Sequence, residues 1–471
     1  MKRTGVAVVV ASVVALTATA RAQVGGAQGV PIALTLDQAL QYALDHYPTV
    51  RAALEQVSAS TANVSVAKST YLPRFDSVWQ TNRATANNIF GQLLPQSVLP
   101  SISGPVLPSA SGESVWGSAI GGLLSWEPVD FGLRSAMVRE AEAGVVRSRA
   151  AEGLTRLAVQ NAVGGAFLAV VSAQQTLAAA DADVQRREVL ARAAHTLVDN
   201  QLRPGAEASR ADAELAASRT RAIQARAAVI LGQTTLARML GITDGEVIVN
   251  TARLLGNLVP MAPAAVPAPQ HPLVQSEQAA VDLARARETV LTKTDRPRLY
   301  LQSSVSARGS GANPNGVVDG GADGLGLERA NWAAGVQVVF PNLFDFSTMR
   351  WRRAAAGALT RAESARYDEA VLTVTSQQRT ADVMVDAARA VAQNTPAQLT
   401  AAQQSEAQAR ARYDAGLAGI AEVAEAQNLL AGAEYQDAAA RVDVWRALLA
   451  KAVAQGNLAS FVDLLHASGV Q

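Results

Sequence analysis

Glu422 and Glu425 stand just after Tyr413-Asp414-Ala415-Gly416-Leu417-Ala418-Gly419, where two glycines interrupt a long Ala/Arg/Glu/Gln-rich stretch. Glycine reaches positive φ without a Cβ clash, so the pair lets the backbone leave one helix and reverse into another. Their i, i+3 spacing puts both carboxylates on one face of the returning helix's first turn. The simplest chemistry for them is electrostatic, because the amino-terminal end of a helix favours negative charge. The remaining reactive residue types are dispersed. His46, His195, His271 and His466 lack metal-ligand spacing, whereas a zinc site wants three or four convergent ligands. Asp319-Gly320-Gly321-Ala322-Asp323-Gly324-Leu325-Gly326 superficially suggests a phosphate or calcium loop. It lacks the Lys-Ser/Thr of a P-loop and reads as a surface loop. The chain has no cysteine and no recognisable serine or metal-hydrolase motif. The expectation is a protein that is not an enzyme, with no metal and no cofactor.

The glycine turn belongs to a duplicated plan. Asp130-Phe131-Gly132 recurs as Asp345-Phe346-Ser347, 215 residues on. The same offset relates Leu202 to Leu417, Glu207 to Glu422, Ala211 to Ala426 and Leu215 to Leu430. Upstream, Pro48 and Pro73 match Pro272 and Pro297 at an offset of 224, each pair 25 residues apart. A tandem duplication of about half the chain follows, with repeats over 23–257 and 258–471.

In the first repeat a helix spans 34–72, starting near Thr35 or Asp37 and interrupted near Tyr47-Pro48. Tyr71-Leu72-Pro73 ends it, since the residue before proline avoids the α region. Strands at 75–83 and 114–126 flank a Pro/Ser/Gly/Asn-rich loop over 84–113, and a helical hairpin fills 133–240. The second repeat reads as a helix at 272–295, strands at 299–307 and 332–340, and a hairpin over 348–455 followed by a tail. The long helices, Leu133 to about Asn200 and Thr348 to about Ala415, would each reach on the order of 100 Å. Apolar stripes such as Leu190, Ala194, Leu197 and Val442, Trp445, Leu449, Ala452 mark faces that pack lengthwise on other helices. Each returning helix is half as long, and together with the helix that follows it matches the long one. Two short helices per half would therefore stack end to end beside it. The connector over 242–270 and the tail over 456–471 would gather near mid-rod.

The strands alternate. Trp116, Ile120, Leu124 and Trp126 share one face of their strand, as do Trp332, Ala334, Val336, Val338 and Phe340 in the second repeat. These spans of 11 and 9 residues have aromatic ends, the length and girdle of a membrane β-strand. A soluble sheet would also alternate. Met1-Lys2-Arg3, the apolar run Gly5 to Leu16 and Ala20-Arg21-Ala22 read as a signal peptide over 1–22, cleaved before Gln23. No later stretch of about 18 apolar residues is apparent, so no transmembrane helix is expected. Absence of cysteine removes disulfides and an amino-terminal lipid anchor. A net charge of +1 gives no basic stripe for nucleic acid.

The duplicated plan, the Tyr413-x-x-Gly416 turn, the acids Glu422 and Glu425, and Pro73 and Pro297 leading into strands resemble, together and in order, the TolC-like outer membrane factor family. The resemblance covers essentially the whole mature chain. It implies a mainly α fold with membrane β, assembled as a homotrimer. Four strands per protomer would make one outer-membrane β-barrel continuous with a periplasmic α-helical barrel. Independently, four strands leave open edges that lipid cannot hydrogen-bond, so one chain cannot close a membrane barrel. The implied function is an exit duct of a tripartite efflux or type I secretion system in a Gram-negative outer membrane. Its partners would be a periplasmic adaptor and an inner-membrane pump of RND, ABC or MFS class. Glu422 and Glu425 fall where the family commonly has aspartates around the pore constriction, and threefold symmetry would make cation-favouring carboxylate rings. Tyr413 matches a gate tyrosine. The family's gate arginine is replaced by Ala418, for which Arg203, its first-repeat equivalent, or Arg210 could substitute. The tips Leu202-Arg203-Pro204-Gly205 and Gly416-Leu417-Ala418-Gly419 would face the adaptor, and Trp116, Trp126, Trp332 and Phe340 would form the membrane girdle. A periplasmic or surface coiled-coil scaffold or adhesin, with its strands in a soluble sheet, is the other class these residues allow.

Overall fold

The computed structural model describes residues 32–467 except 89–93, 95, 101–105, 107–111, 243–246, 251–253, 255–266, 314, 316, 319–320 and 343. The signal-peptide reading and Asp319-Gly320 fall outside these residues. The elements are β1 (Ile32–Leu34), α1 (Leu36–His46), α2 (Pro48–Ser69), β2 (Arg74–Thr85), β3 (Ser114–Val129), α3 (Leu133–Asp199), α4 (Gly205–Leu240) and β4 (Val247–Val249). They continue with α5 (Pro272–Lys293), β5 (Arg298–Ser310), β6 (Arg329–Val339), α6 (Phe346–Asp414), α7 (Ile420–Ala454) and α8 (Ala459–Ala467).

The helix break falls at Tyr47, which is extended, and Pro48 opens α2 at its first position, where a missing N–H costs nothing. β3 runs past both of its aromatic ends, whereas β6 stops at Val339, one residue short of Phe340. The parallel pair β1–β4 and helix α8 were not legible in sequence, because segments of 3 to 9 residues carry too little periodicity.

Four helical columns lie side by side: α2 with α4, then α3, then α5 with α7, then α6. The short helices meet end to end. Gly241 (φ +75°) closes α4 against Pro48, and Gly456 (φ +76°) closes the end of α7 against His271 and Pro272. A left-handed glycine ends one helix and a proline starts the next. Stacking within each half matches expectation, but each returning helix joins the helix that opens its own repeat, not the one that follows it in sequence.

The main core sits at mid-rod. Val163, Phe167 and Val170 of α3 meet Leu236 and Leu240 of α4, Trp445 and Leu449 of α7, Leu36 and Leu40 of α1, and Phe461 of α8. The Trp445 indole donates to the Leu254 carbonyl at 2.9 Å, and Phe461 packs edge-on to its ring. α3 carries an 18-residue window apolar enough to cross a membrane by composition, and 44% of that window is buried. This corrects the expectation that no such stretch exists. Val163, Phe167, Leu168, Val170 and Val171 of α3 pack into the mid-rod core, and a helix that serves several neighbours carries a broad apolar face.

The four-stranded sheet is antiparallel in the order β2-β3-β5-β6. Its register pairs Phe75 with Leu124, Trp79 with Ile120, Trp126 with Leu301, Leu301 with Val336 and Val305 with Trp332. Directly opposed residues share a face, so these large apolar side chains all project to one side. Asp76, Gln80, Asn82, Gln302, Ser304, Ser306, Arg308 and Gln337 belong to the other. At the β3–α3 joint, Asp130 accepts from the backbone N–H groups of Gly132 and Arg134 and from Arg134 Nε at 2.8 Å. Arg134 also donates to the Thr70 carbonyl, tying strand, helix and α2 together.

Candidate functional site

At one end of the rod the two hairpin turns pack together. Ala191 and Ala194 of α3, Ala211 of α4, Tyr413 of α6, and Ile420 and Val423 of α7 form one apolar cluster. The turns close alike: Leu202 N–H donates to Leu197, and Leu417 N–H to Arg412, each pair related by the repeat offset. Gly416 takes φ +74° where its equivalent, Gln201, takes φ 58°. Only one glycine of the second turn is needed for the reversal, since Gly419 is extended at the start of α7. In the first turn Pro204 is the extended residue and Gly205 opens α4. Leu202 and Leu417 are exposed at the tips.

Arg203 joins the hairpins. Its Nη2 donates to the Ala418 carbonyl at 3.1 Å, its Nη1 lies 3.6 Å from Glu207 Oε1, and its guanidinium stands 5.1 Å from the Tyr413 ring centre. Tyr413 is buried, and its hydroxyl donates to Glu207 Oε2 at 3.3 Å. Burial pushes the phenol pKa up, and the Glu207 carboxylate adds to that. Of the two arginines singled out from sequence, Arg203 is placed in this cluster; Arg210 is exposed and takes no part in it. Glu207 was not singled out from sequence, though its equivalence to Glu422 marked it.

The two acids of the second turn differ. Glu422 Oε1 lies 3.3 Å from Arg412 Nε across the turn, with both side chains about half exposed. Glu425 is exposed one turn further along α7. Deeper in the rod, buried Arg187 donates to Asp183 at 3.0 Å, to Glu214 at 2.9 Å and to Asn428 at 2.7 Å. This network joins α3, α4 and α7. Sequence reasoning missed it because i, i+4 charges usually mark a solvated helix face.

Two of the histidines bridge elements. His271 Nδ1 accepts from Leu273 N–H and its Nε2 donates to the Val453 carbonyl. His195 pairs with Asp212 at 3.0 Å between α3 and α4. Among the described residues no three His, Asp or Glu side chains converge as a metal site.

On the sheet, Trp116 lies near Arg83, and Trp126 Nε1 donates to the Tyr71 carbonyl at 3.0 Å. Trp332 is 80% exposed, and Phe340 is exposed just beyond β6. Phe75 and Trp79 extend the same apolar face and were missed as girdle candidates, because the first strand was read without its register.

The fold is similar to that of the Campylobacter jejuni CmeC outer membrane channel, with a TM-score of 0.72, 17% identity, and coverage of 92% of this chain and 89% of that one. It is also similar to the open state of the Neisseria gonorrhoeae MtrE outer membrane channel, with a TM-score of 0.70, 17% identity, and coverage of 90% and 89%. Protein CyaE of Bordetella pertussis is 26% identical over 410 residues, covering 84% of this chain and 78% of that protein. The description "outer membrane efflux protein" matches residues 39–242 and 268–456, one segment in each repeat. With both halves matched around the same paired hairpins and four-stranded sheet, this chain belongs to the outer membrane efflux protein family.

Proposed function

We propose that the chain is one third of a homotrimeric exit duct. Its sheet would sit in the outer membrane of a Gram-negative cell and its helical rod in the periplasm, after export by the cleaved signal peptide. The observation that carries this reading is the sheet: one face is apolar and exposed, the other polar, as a membrane strand requires. Trp79 and Trp332, each more than 70% exposed on that apolar face, disfavour the soluble-sheet scaffold. Neither β2 nor β6 has an outer neighbour among the described residues. Lipid cannot satisfy such edges, so β6 of one copy would pair with β2 of the next.

The rod supports the same closure. Ile223, Ile230 and Leu231 are exposed on α4, at one margin of the four columns, and Leu359, Leu372 and Val383 on α6, at the other. Copies joined head to tail would bury both margins in a closed ring. The tips would then converge at the periplasmic entrance. There Glu422 and Glu425 would form acidic rings, the Arg203–Tyr413–Glu207 cluster would hold the hairpins closed, and a periplasmic adaptor would dock, with an inner-membrane pump supplying energy. The cargo would be small molecules or polypeptides.

Reconstitution in a planar bilayer tests this. The expected result is a detergent-dependent trimer with small, cation-preferring single-channel conductance. A folded monomer that is fully soluble without detergent and never inserts would overturn it.

A further inference from the structure

Residues 94 and 96–100, in the link from β2 to β3, lie against the polar face of the sheet. Leu94 N–H donates to Gln80 Oε1 at 3.0 Å, and Arg308 Nη2 donates to the Pro100 carbonyl. The register puts Gln80 opposite Ala119, and Ala119 opposite Arg308. All three therefore share the face opposite Trp79, Ile120 and Trp332.

Leu99 is seated. It is only 3% exposed, and Ala119 on the strand floor is fully buried. A Cβ added at Gly121, on the same face of β3, would lie 2.4 Å from Leu99 Cδ2. The run Val115, Gly117, Ala119, Gly121 leaves a groove of small side chains that a leucine fills. Gln96 stiffens the segment, accepting from Leu99 N–H at 2.8 Å and donating to the Leu99 carbonyl. Further toward the strand ends, Ala86, Val115 and Ala312 form a small buried cluster with Val318 of the β5–β6 connection.

We propose that residues 96–100 form a built-in stop on the channel side of the sheet, seated by Leu99 and clasped by Arg308, which narrows the duct at its membrane end. The inference rests on the duct reading, because the polar face becomes the channel wall only when copies close the barrel. It adds a second restriction in series with the periplasmic tips, so either can limit flow. The stop has a large apolar anchor and a neutral backbone bonded to a cation. It would therefore restrict cargo by size more than by charge.

The test opens the tips first, with Arg203→Ala, and then adds Leu99→Gly with Arg308→Gln. Single-channel conductance is expected to rise by a further factor of about two. A tip-opened channel whose conductance the added substitutions leave unchanged overturns the stop and leaves the duct intact. Absence of any conductance from the folded trimer overturns the duct reading itself. A second readout does not require current. The chain has no cysteine, so Ala119→Cys provides a single small, tolerated thiol on the seat. It should resist a bulky impermeant maleimide applied from outside, and become labelled when Leu99→Gly is added. Equal labelling in both backgrounds overturns the proposal.

Discussion

Arg203 donates to the carbonyl of Ala418 at 3.1 Å, and the two residues are repeat equivalents, 215 positions apart. The arginine of the first repeat thus reaches across the interface between the hairpins to the position where the second repeat carries alanine. The same guanidinium faces Glu207 and the Tyr413 ring.

Removing that side chain should loosen the tip. Arg203→Ala loses a hydrogen bond, an ion pair and a cation–π contact, together worth about 1–3 kcal/mol at a partly buried site. Conductance should rise, and sensitivity to bulky cargo with it. Arg210→Ala, outside the cluster, should leave both unchanged.

Charge at the tip sets the second expectation. Glu422 is partly offset by Arg412 at 3.3 Å, whereas Glu425 stands exposed. Arg412→Gln should strengthen cation preference by unmasking Glu422, and Glu425→Gln should weaken it. Reversal potentials in a salt gradient read both signs.

Stability should fall in mild acid through His271. Burial lowers its pKa below the ordinary value near 6.5, partly offset by its bond to the Val453 carbonyl. The neutral ring is required because Nδ1 accepts the Leu273 N–H. A depressed folded pKa means that the contribution is fully present above about pH 6.5 and is lost as pH falls through the folded value. The melting temperature of His271→Asn should depend less on pH between about 7.5 and 5.5 than that of the parent.

The buried network gives a larger effect. Arg187→Ala removes one of the two guanidinium partners of fully buried Asp183, leaving Arg221 at 3.0 Å, and should cost about 1.5–3 kcal/mol. The partly exposed Arg186, paired with Glu434 at 2.6 Å, should cost about 1 kcal/mol or less when replaced by alanine. Denaturant melts of the detergent-solubilised protein separate the two.

The helix joints differ in tolerance. Gly241→Ala and Gly456→Ala both meet a left-handed backbone, at about 1–2 kcal/mol. Only at Gly456 would the new Cβ fall 2.4 Å from Pro272. That variant should unfold at the lower temperature in a thermal melt.

The sequence by itself determined the duplicated plan, the helix break before Pro48, the strand pairs and the tip turns, because each rests on a local rule. Proline fixes φ, glycine permits the left-handed region, and periodicity reports which side of an element is apolar. Glu207 was visible as the equivalent of Glu422, but its partners were not. Tertiary structure alone decided that Arg203 and not Arg210 meets Ala418, and that Arg187 is buried instead of solvated. It also decided that Phe75 and Trp79 share the apolar face of Trp332, and that the apolar run of α3 is a core. These outcomes depend on which column lies beside which and on strand register. Both are set by contacts between residues hundreds of positions apart, which local pattern does not encode.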